Sequence, residues 1–225
     1  MFDEPFLLIG HRGAAGLEPE NTLRSFQRAV DLGVSAVELD VYEREGTLIV
    51  VHDDTLDRTT NGKGLVASLS LVELRALDAG DGERIPTLGE VFAAVPHEIG
   101  INVELKGPGT AAALLRFMSA VTDERAVLVS SFHHDALREV RRRDSAIPVA
   151  PLFHRVSRTM FAVAEELDAW SVNISRQIAS RELIDQAHEQ GYRVLVYTVN
   201  DPHEAERLKD WGVDGLFTDR PDLLR

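Results

Sequence analysis

The sequence predicts an α/β chain of the (β/α)8 TIM-barrel class, on three observations. Eight short runs rich in β-branched residues are spread along 225 residues. Amphipathic segments of helical period separate them. The competing arrangement, an open doubly wound sheet, would need a glycine-rich phosphate turn running into a helix, with an acidic residue about 20 positions on. Only "GHRGAAG" comes near that pattern, and it fits poorly.

The predicted strands are, in order, "FLLIGH" (6–11), "SAVELDV" (35–41), "GINVELK" (100–106), "AVLVSSF" (126–132), "IPVAPLF" (147–153), "AWSVNI" (169–174), "YRVLVYTV" (192–199) and "DGLFTD" (214–219). Helical patterns between them include "ENTLRSFQRAVDLG", "TAAALLRFMSAV", "DALREVRRRD", "RELIDQAHEQG" and "PHEAERLKDWG", several ending on a Gly or Asp suited to a helix end. One region breaks the alternation. Two alternating runs flank Glu45-Gly46 as a hairpin would, and a polar, Gly-containing segment follows, so residues 54–84 are expected as an insertion over one mouth of the barrel. The whole of 1–225, this inserted segment included, reads as one domain. After the last strand only "RPDLLR" remains, so the final helix must be very short or missing.

Bulk composition narrows the partners. The net charge of −13 would repel nucleic acid and anionic membrane surfaces, and the basic run Arg141-Arg142-Arg143 reads as a solvated helix face. No cysteine is present, so a metal would need oxygen or imidazole ligands. The start carries Asp3 and Glu4 where a signal peptide would carry positive charge, and its apolar run is too short to span or anchor in a bilayer. A cytoplasmic location is the expectation, although a mature form trimmed of its leader would look the same.

In a parallel barrel the functional face lies at the C-terminal strand ends. There the sequence delivers His11, then Glu38 and Asp40, Glu104 and Lys106, Ser131 and Phe132, and Tyr197 with Asn200. Because side chains alternate, Glu38 and Asp40 share a side, as do Glu104 and Lys106. Three converging carboxylates cannot all stay ionised without counter-charge, which a divalent cation supplies. All-oxygen ligation suits Mg2+, Ca2+ or Mn2+ better than Zn2+. An isolated E-x-D could instead point outward into a salt bridge; the matching Glu104 argues against that. His11 and His52 each follow an apolar run and are the candidate acid/base pair, imidazole being able to give and take a proton near neutral pH. His97, His133, His134, His154, His188 and His203 read as structural. Arg12 and Lys106 are the candidate anion contacts, with salt bridging to Glu38 or Glu104 as the other reading. Glu20 has two readings, site support or surface charge.

These motifs, "HRG" with "PENT", "ELDV", "VVHDDTLDRTTNGKG", "IPTLGEV", "NVELKG", "SSF", "YTVND" and "GVDGLFTDRP", in this order, resemble the glycerophosphodiester phosphodiesterase family. The resemblance implies hydrolysis of a small-molecule glycerophosphodiester to sn-glycerol 3-phosphate and an alcohol. It implies His11 and His52 as the acid/base pair, Glu38, Asp40 and Glu104 as ligands of a divalent cation, and Arg12 and Lys106 as phosphate contacts. It further implies the substrate's own glycerol 2-hydroxyl as first nucleophile, giving a cyclic phosphate that water opens. Phe132 and Tyr197 are the expected substrate-binding walls, Tyr197 standing where many relatives carry Trp. Residues 54–84 offer no evident exposed apolar lid, which favours a deacylated substrate over a lysophospholipid. Three other readings compete: a related phospholipase D-type or lysophospholipid phosphodiesterase, a barrel lyase or isomerase with Lys106 as base, and a phosphodiester-binding barrel without catalysis. The lyase leaves His52 and Arg12 without a task; the silent barrel is disfavoured because the reactive set is complete.

Overall fold

The structure is a computed structural model that describes residues 4–121 and 125–224. Asp3, used above to judge the N-terminus, lies outside the described residues. Nine strands are present among the described residues: β1 (Leu7–Gly10), β2 (Ala36–Arg44), β3 (Thr47–Val50), β4 (Gly100–Leu105), β5 (Val127–Ser131), β6 (Val149–Phe153), β7 (Ser171–Ser175), β8 (Arg193–Tyr197) and β9 (Gly215–Thr218). β1 pairs in parallel with both β2 and β9, which closes eight of them into a parallel barrel and excludes the open sheet. The ninth, β3, is antiparallel to β2 outside the ring.

The second barrel strand runs further than the expected 35–41, on to Arg44. The cause is the hairpin: Arg44 pairs with Thr47, and Glu45 (φ 51°) and Gly46 (φ 82°) form a two-residue turn with both central residues left-handed, the geometry that matches strand twist. Glu38 and Asp40 therefore lie within β2 and not at its end.

Among the described residues eight α-helices, α1 (Leu23–Asp31), α2 (Leu71–Arg75), α3 (Leu88–Ala94), α4 (Thr110–Ala120), α5 (His134–Arg143), α6 (Met160–Glu166), α7 (Arg181–Glu189) and α8 (Pro202–Asp210), fill the connections. Side-chain caps fix several starts. Thr22 accepts from the Ser25 amide at α1, and Ser180 and Asp201 do the same for α7 and α8, the latter with Pro202 in the first turn. Thr87 and Glu90 form a reciprocal capping box on α3. Each such cap contributes about 1 kcal/mol.

Alternation along the strands divides the core. Leu7, Ile9, Ala36, Leu128, Ala150, Leu195 and Phe217 fill the barrel interior. The intervening residues, such as Val37, Leu39, Ile101, Val103, Val127 and Val129, pack outward against α1, α3, α4 and α5, while Val172, Ile174, Val194, Val196 and Leu216 meet α6 to α8. Leu39 is fully buried; truncating it to Ala should cost ~2–5 kcal/mol, as large cavities in unyielding cores do.

Residues 54–84 hold α2 and a short 3-10 turn (Val66–Ser68) around their own small core of Leu56, Val66, Leu74 and Ala79, continuous with Ile49 of β3. Leu65 and Val72 of this segment are not packed into that core but exposed. The basic run on α5 is not wholly solvated either: Arg141 reaches across to Asp168. A 3-10 turn over Pro221–Leu223 follows β9 in place of a full helix. No helix among the described residues is long and apolar enough to cross a membrane.

Candidate active site

Register brings the carboxylates together. In the β2–β4 pairing Glu38 stands opposite Asn102 and Asp40 opposite Glu104, so two inward-facing layers of polar residues replace the apolar interior near the barrel mouth. One ligand oxygen from each of Glu38, Asp40 and Glu104 can be chosen so that all lie within 4.8 Å of one another. Burial first, then Asp40 and Glu104, push the Glu38 carboxyl well above its ordinary value. Glu104 is raised to about 7, chiefly by burial and by the charge of Asp40. Asp40 goes the other way: burial works against its charge, but Arg12 and Lys106 outweigh it and hold its pKa low.

Lys106 Nζ donates to Glu104 Oε1 at 2.8 Å and lies 3.5 Å from Asp40. Arg12 Nη1 donates to Glu20 at 2.9 Å, and its Nε sits 3.3 Å from Asp40 Oδ2, close enough for an ion pair but not aligned as a hydrogen bond. Both cations thus pair with site carboxylates, and Arg12 also lines a cavity between them and the aromatic side chains. The loop after β1 makes this possible. Arg12 (φ 50°) and Gly13 (φ 85°) are both left-handed, which aims the Arg12 amide at Glu38 Oε2, 2.9 Å away. A Cβ on Gly13 would lie 2.5 Å from Ser25 backbone, so only glycine fits. Within "PENT", Thr22 takes the cap of α1, and Asn21 instead donates through Nδ2 to Asp40 at 3.0 Å.

Each histidine of the expected pair has an aspartate behind it. His11 Nδ1 lies 2.6 Å from Asp219 Oδ1, and Asp219 is held in turn by Asn200 Nδ2 at 2.7 Å. Burial opposes the Asp219 charge, but the His11 bond and charge bring its pKa below the ordinary range. His52 Nδ1 lies 2.6 Å from Asp53 Oδ1, whose pKa falls to about 2 mainly through the hydrogen bonds of Arg58. With an ionised aspartate on Nδ1, the proton sits there and Nε2 is left to face a reactant. Burial, helped by Arg12 and Lys106 against Asp40, lowers the His52 pKa, so this ring is neutral at neutral pH.

A cavity of about 220 Å³ gathers these groups. His11, Arg12, Glu38, His52 and Glu104 line one side, and Phe132, Leu152, Tyr197 and Phe217 the other. Tyr197 meets Phe132 edge to face at 5.9 Å, and His154 comes to 5.8 Å from the same Phe132 ring. Four buried polar atoms of lining residues have no hydrogen-bond partner: Arg12 Nε, Glu38 Oε1, Asn102 Oδ1 and Tyr197 OH. Unspent donors and acceptors around one small cavity call for a polar, charged ligand.

The sequence pattern does not single out Asp219, Asp53, Arg58 or Asn102. Two of these carried a readable signal. Asp53 directly follows His52, and Asp219 directly follows the last strand, where an inward-facing carboxylate reaches the β1 end across the closing seam. Of the histidines read as structural, His134 and His188 do have structural partners, Leu152 O and Asp214 respectively. His154 differs, reaching the cavity rim through Phe132.

Comparison with known proteins follows the same outline. The model of the glycerophosphoryl diester phosphodiesterase family matches residues 11–223. A glycerophosphodiester phosphodiesterase of Caldanaerobacter subterraneus subsp. tengcongensis is 35% identical, over 97% of this chain and 96% of its own. One from Bacillus subtilis is 30% identical, over 97% and 85%. Among solved structures, an Oleispira antarctica phosphodiesterase in complex with the product sn-glycerol-3-phosphate superposes with a TM-score of 0.93 at 32% identity, covering 97% of this chain and 94% of that one. A glycerophosphodiester phosphodiesterase from Agrobacterium tumefaciens gives 0.82 at 29% identity, over 97% and 98%.

Proposed function

The chain belongs to the glycerophosphoryl diester phosphodiesterase family, and on that premise we propose that it hydrolyses glycerophosphodiesters to sn-glycerol 3-phosphate and an alcohol, with His11 and His52 moving the protons beside a divalent cation. The observation that carries this reading is the pair of aspartate-backed histidines lining one cavity with Glu38 and Glu104, which cluster in turn with Asp40.

A divalent cation suits the donor set. The ligands are all carboxylate oxygens, Glu38 Oε1 is buried without a partner, and the raised pKa values of Glu38 and Glu104 mark negative charge that lacks sufficient compensation. Glu38, Asp40 and Glu104 would hold it, and when bound it supplies Lewis-acid stabilisation of charge on phosphoryl oxygens. Mg2+, Ca2+ and Mn2+ all fit such ligation.

The protein's own side chains account for the proton transfers. His52, kept neutral by burial, takes the proton of the glycerol 2-hydroxyl as that oxygen attacks phosphorus. His11, entering the step as the imidazolium with its Nδ1 proton held by Asp219, gives its Nε2 proton to the departing alcohol oxygen as the phosphorus–oxygen bond breaks. The resulting cyclic phosphate is opened by water with the roles exchanged: His11 now accepts the proton from water and His52 returns one to the 2-hydroxyl oxygen. Arg12 and Lys106 offer positive charge and N–H donors to the phosphate. Phe132 and Tyr197 bound the organic part of the substrate, and the small cavity suits a deacylated one.

The test uses leaving groups. A glycerophosphodiester of p-nitrophenol needs no acid to expel its alcohol, so His11→Ala should retain far more activity on it, relative to glycerophosphoethanolamine, than His52→Ala does. Equal losses on both substrates would overturn the role assignment.

A further inference from the structure

We propose that Arg58, from the inserted segment, is a positioning residue that sets both the His52 acid/base group and the Arg12 phosphate arm at once; the inference rests on the hydrolytic reading above. The guanidinium forks onto two carboxylates. Its Nε and Nη2 donate to Asp53 Oδ2 and Oδ1 at 2.7 and 3.1 Å, and its Nη1 and Nη2 donate to Glu20 Oε2 and Oε1 at 2.6 and 2.8 Å.

Each of those carboxylates has a second duty inside the site. Asp53 Oδ1 is the atom 2.6 Å from His52 Nδ1, and Glu20 Oε1 is the atom that accepts from Arg12 Nη1 at 2.9 Å. The connection therefore runs without interruption from His52 through Asp53, Arg58 and Glu20 to Arg12. Planarity makes this an arginine task, because one rigid fork fixes the orientation of two carboxylates, which an ammonium point charge cannot do. Glu20, alongside its bond from Arg12, and Asp53 both hold this guanidinium. Without it two carboxylates would face each other, and both histidine and arginine would lose a fixed partner. Glu20, for which two readings stood, is thereby assigned to the support of the site.

The arrangement also gives the insertion a purpose: it carries the clamp that locks two catalytic elements contributed by separate strand ends. Arg138 on α5 serves as an internal control. It bridges Glu166 and Asp135 in the same two-carboxylate manner, but on an exposed helix face.

The experiment is steady-state kinetics of the full chain on glycerophosphoethanolamine at saturating Mg2+, with kcat and KM separated and folding checked by thermal melting. Asp53→Asn should lower kcat with little change in KM, and Glu20→Gln should raise KM with little change in kcat. Arg58→Ala should do both, with kcat/KM down roughly 10- to 100-fold, the scale of losing a supporting hydrogen-bond partner. Arg58→Lys should recover only part of this, added methylguanidinium should raise the turnover of Arg58→Ala, and Arg138→Ala should match wild type. A folded Arg58→Ala within twofold of wild type, in a series where His52→Ala is inactive, overturns the clamp and leaves the hydrolytic reading standing. If Arg58→Ala does not fold, the split between Asp53→Asn and Glu20→Gln decides, and its absence overturns the proposal. A wild-type protein with no hydrolysis at any divalent cation would overturn both.

Discussion

The two walls of the barrel mouth obey one rule and carry different residues. On both, alternate side chains of parallel strands turn inward, but β1, β2 and β4 deliver Arg12, Glu38, Asp40, Glu104 and Lys106, whereas β5 to β8 deliver Ser130, Phe132, Leu152 and Tyr197. On the first wall Arg12, Glu38, Asp40, Glu104 and Lys106 are all shifted by burial and by one another's charges, in opposite directions for Glu38 and Asp40 two residues apart. On the second, burial and the charge of Glu104 simply keep Tyr197 protonated. The difference teaches that the fold supplies position to both walls equally, while coupling between charges concentrates the chemistry on one.

The largest effects should come from the charged side. His11→Ala and His52→Ala should each lower kcat on glycerophosphoethanolamine by roughly 10² or more, the scale of acid/base loss. Phe132→Ala, on the neutral wall, should act mainly on KM. If Phe132→Ala matched the histidine variants in kcat, the division between the walls would fail.

Next in size is metal affinity. Glu104→Gln removes one carboxylate charge and should move a divalent titration of activity to at least ~10-fold higher concentration; an unchanged curve would remove Glu104 from the ligand set. Stability carries a related signature with a fixed sign. Glu38 and Glu104 have raised folded-state pKa values, so the metal-free protein gains stability from them below the ordinary carboxyl value, and loses it as pH climbs toward about 7, the value for Glu104. A divalent cation binds the ionised form, so the rise in melting temperature on adding Mg2+ should be small at pH 5 and larger at pH 8. A constant or falling increment would contradict the charge balance proposed for this wall.

The smallest change should sharpen the neutral side. Tyr197→Trp keeps an aromatic wall and should alter the relative rates of glycerophosphocholine and glycerophosphoethanolamine by only a few-fold, leaving metal titration unmoved. A shift in metal affinity instead would mean the two walls are not separable.

Much of the fold was legible because parallel strands buried on both faces read as apolar runs, and the intervals between them read as helices. The extent of β2 was not, since its last residues belong to a hairpin whose pairing lies outside the barrel. Within the candidate site, the strand-borne Glu38, Asp40 and Glu104, and Lys106 just past the end of β4, were legible through period-two spacing. Their supports were not. Asp219 meets His11 across 208 positions of sequence, only because the barrel closes between its first and last strands. Arg58 meets Glu20 through a fold of the insertion that no periodicity describes. Even Glu20, noticed within "PENT", stood between two readings until its partners were in place.

The central claim is that the charged wall holds a divalent cation and performs glycerophosphodiester hydrolysis. The most direct measurement is release of sn-glycerol 3-phosphate from glycerophosphoethanolamine, before and after exhaustive chelation, and again after adding Mg2+, Ca2+ or Mn2+. Loss of product on chelation and its return with at least one of these ions is the predicted result. Undiminished release from protein shown to be free of metal would contradict the account.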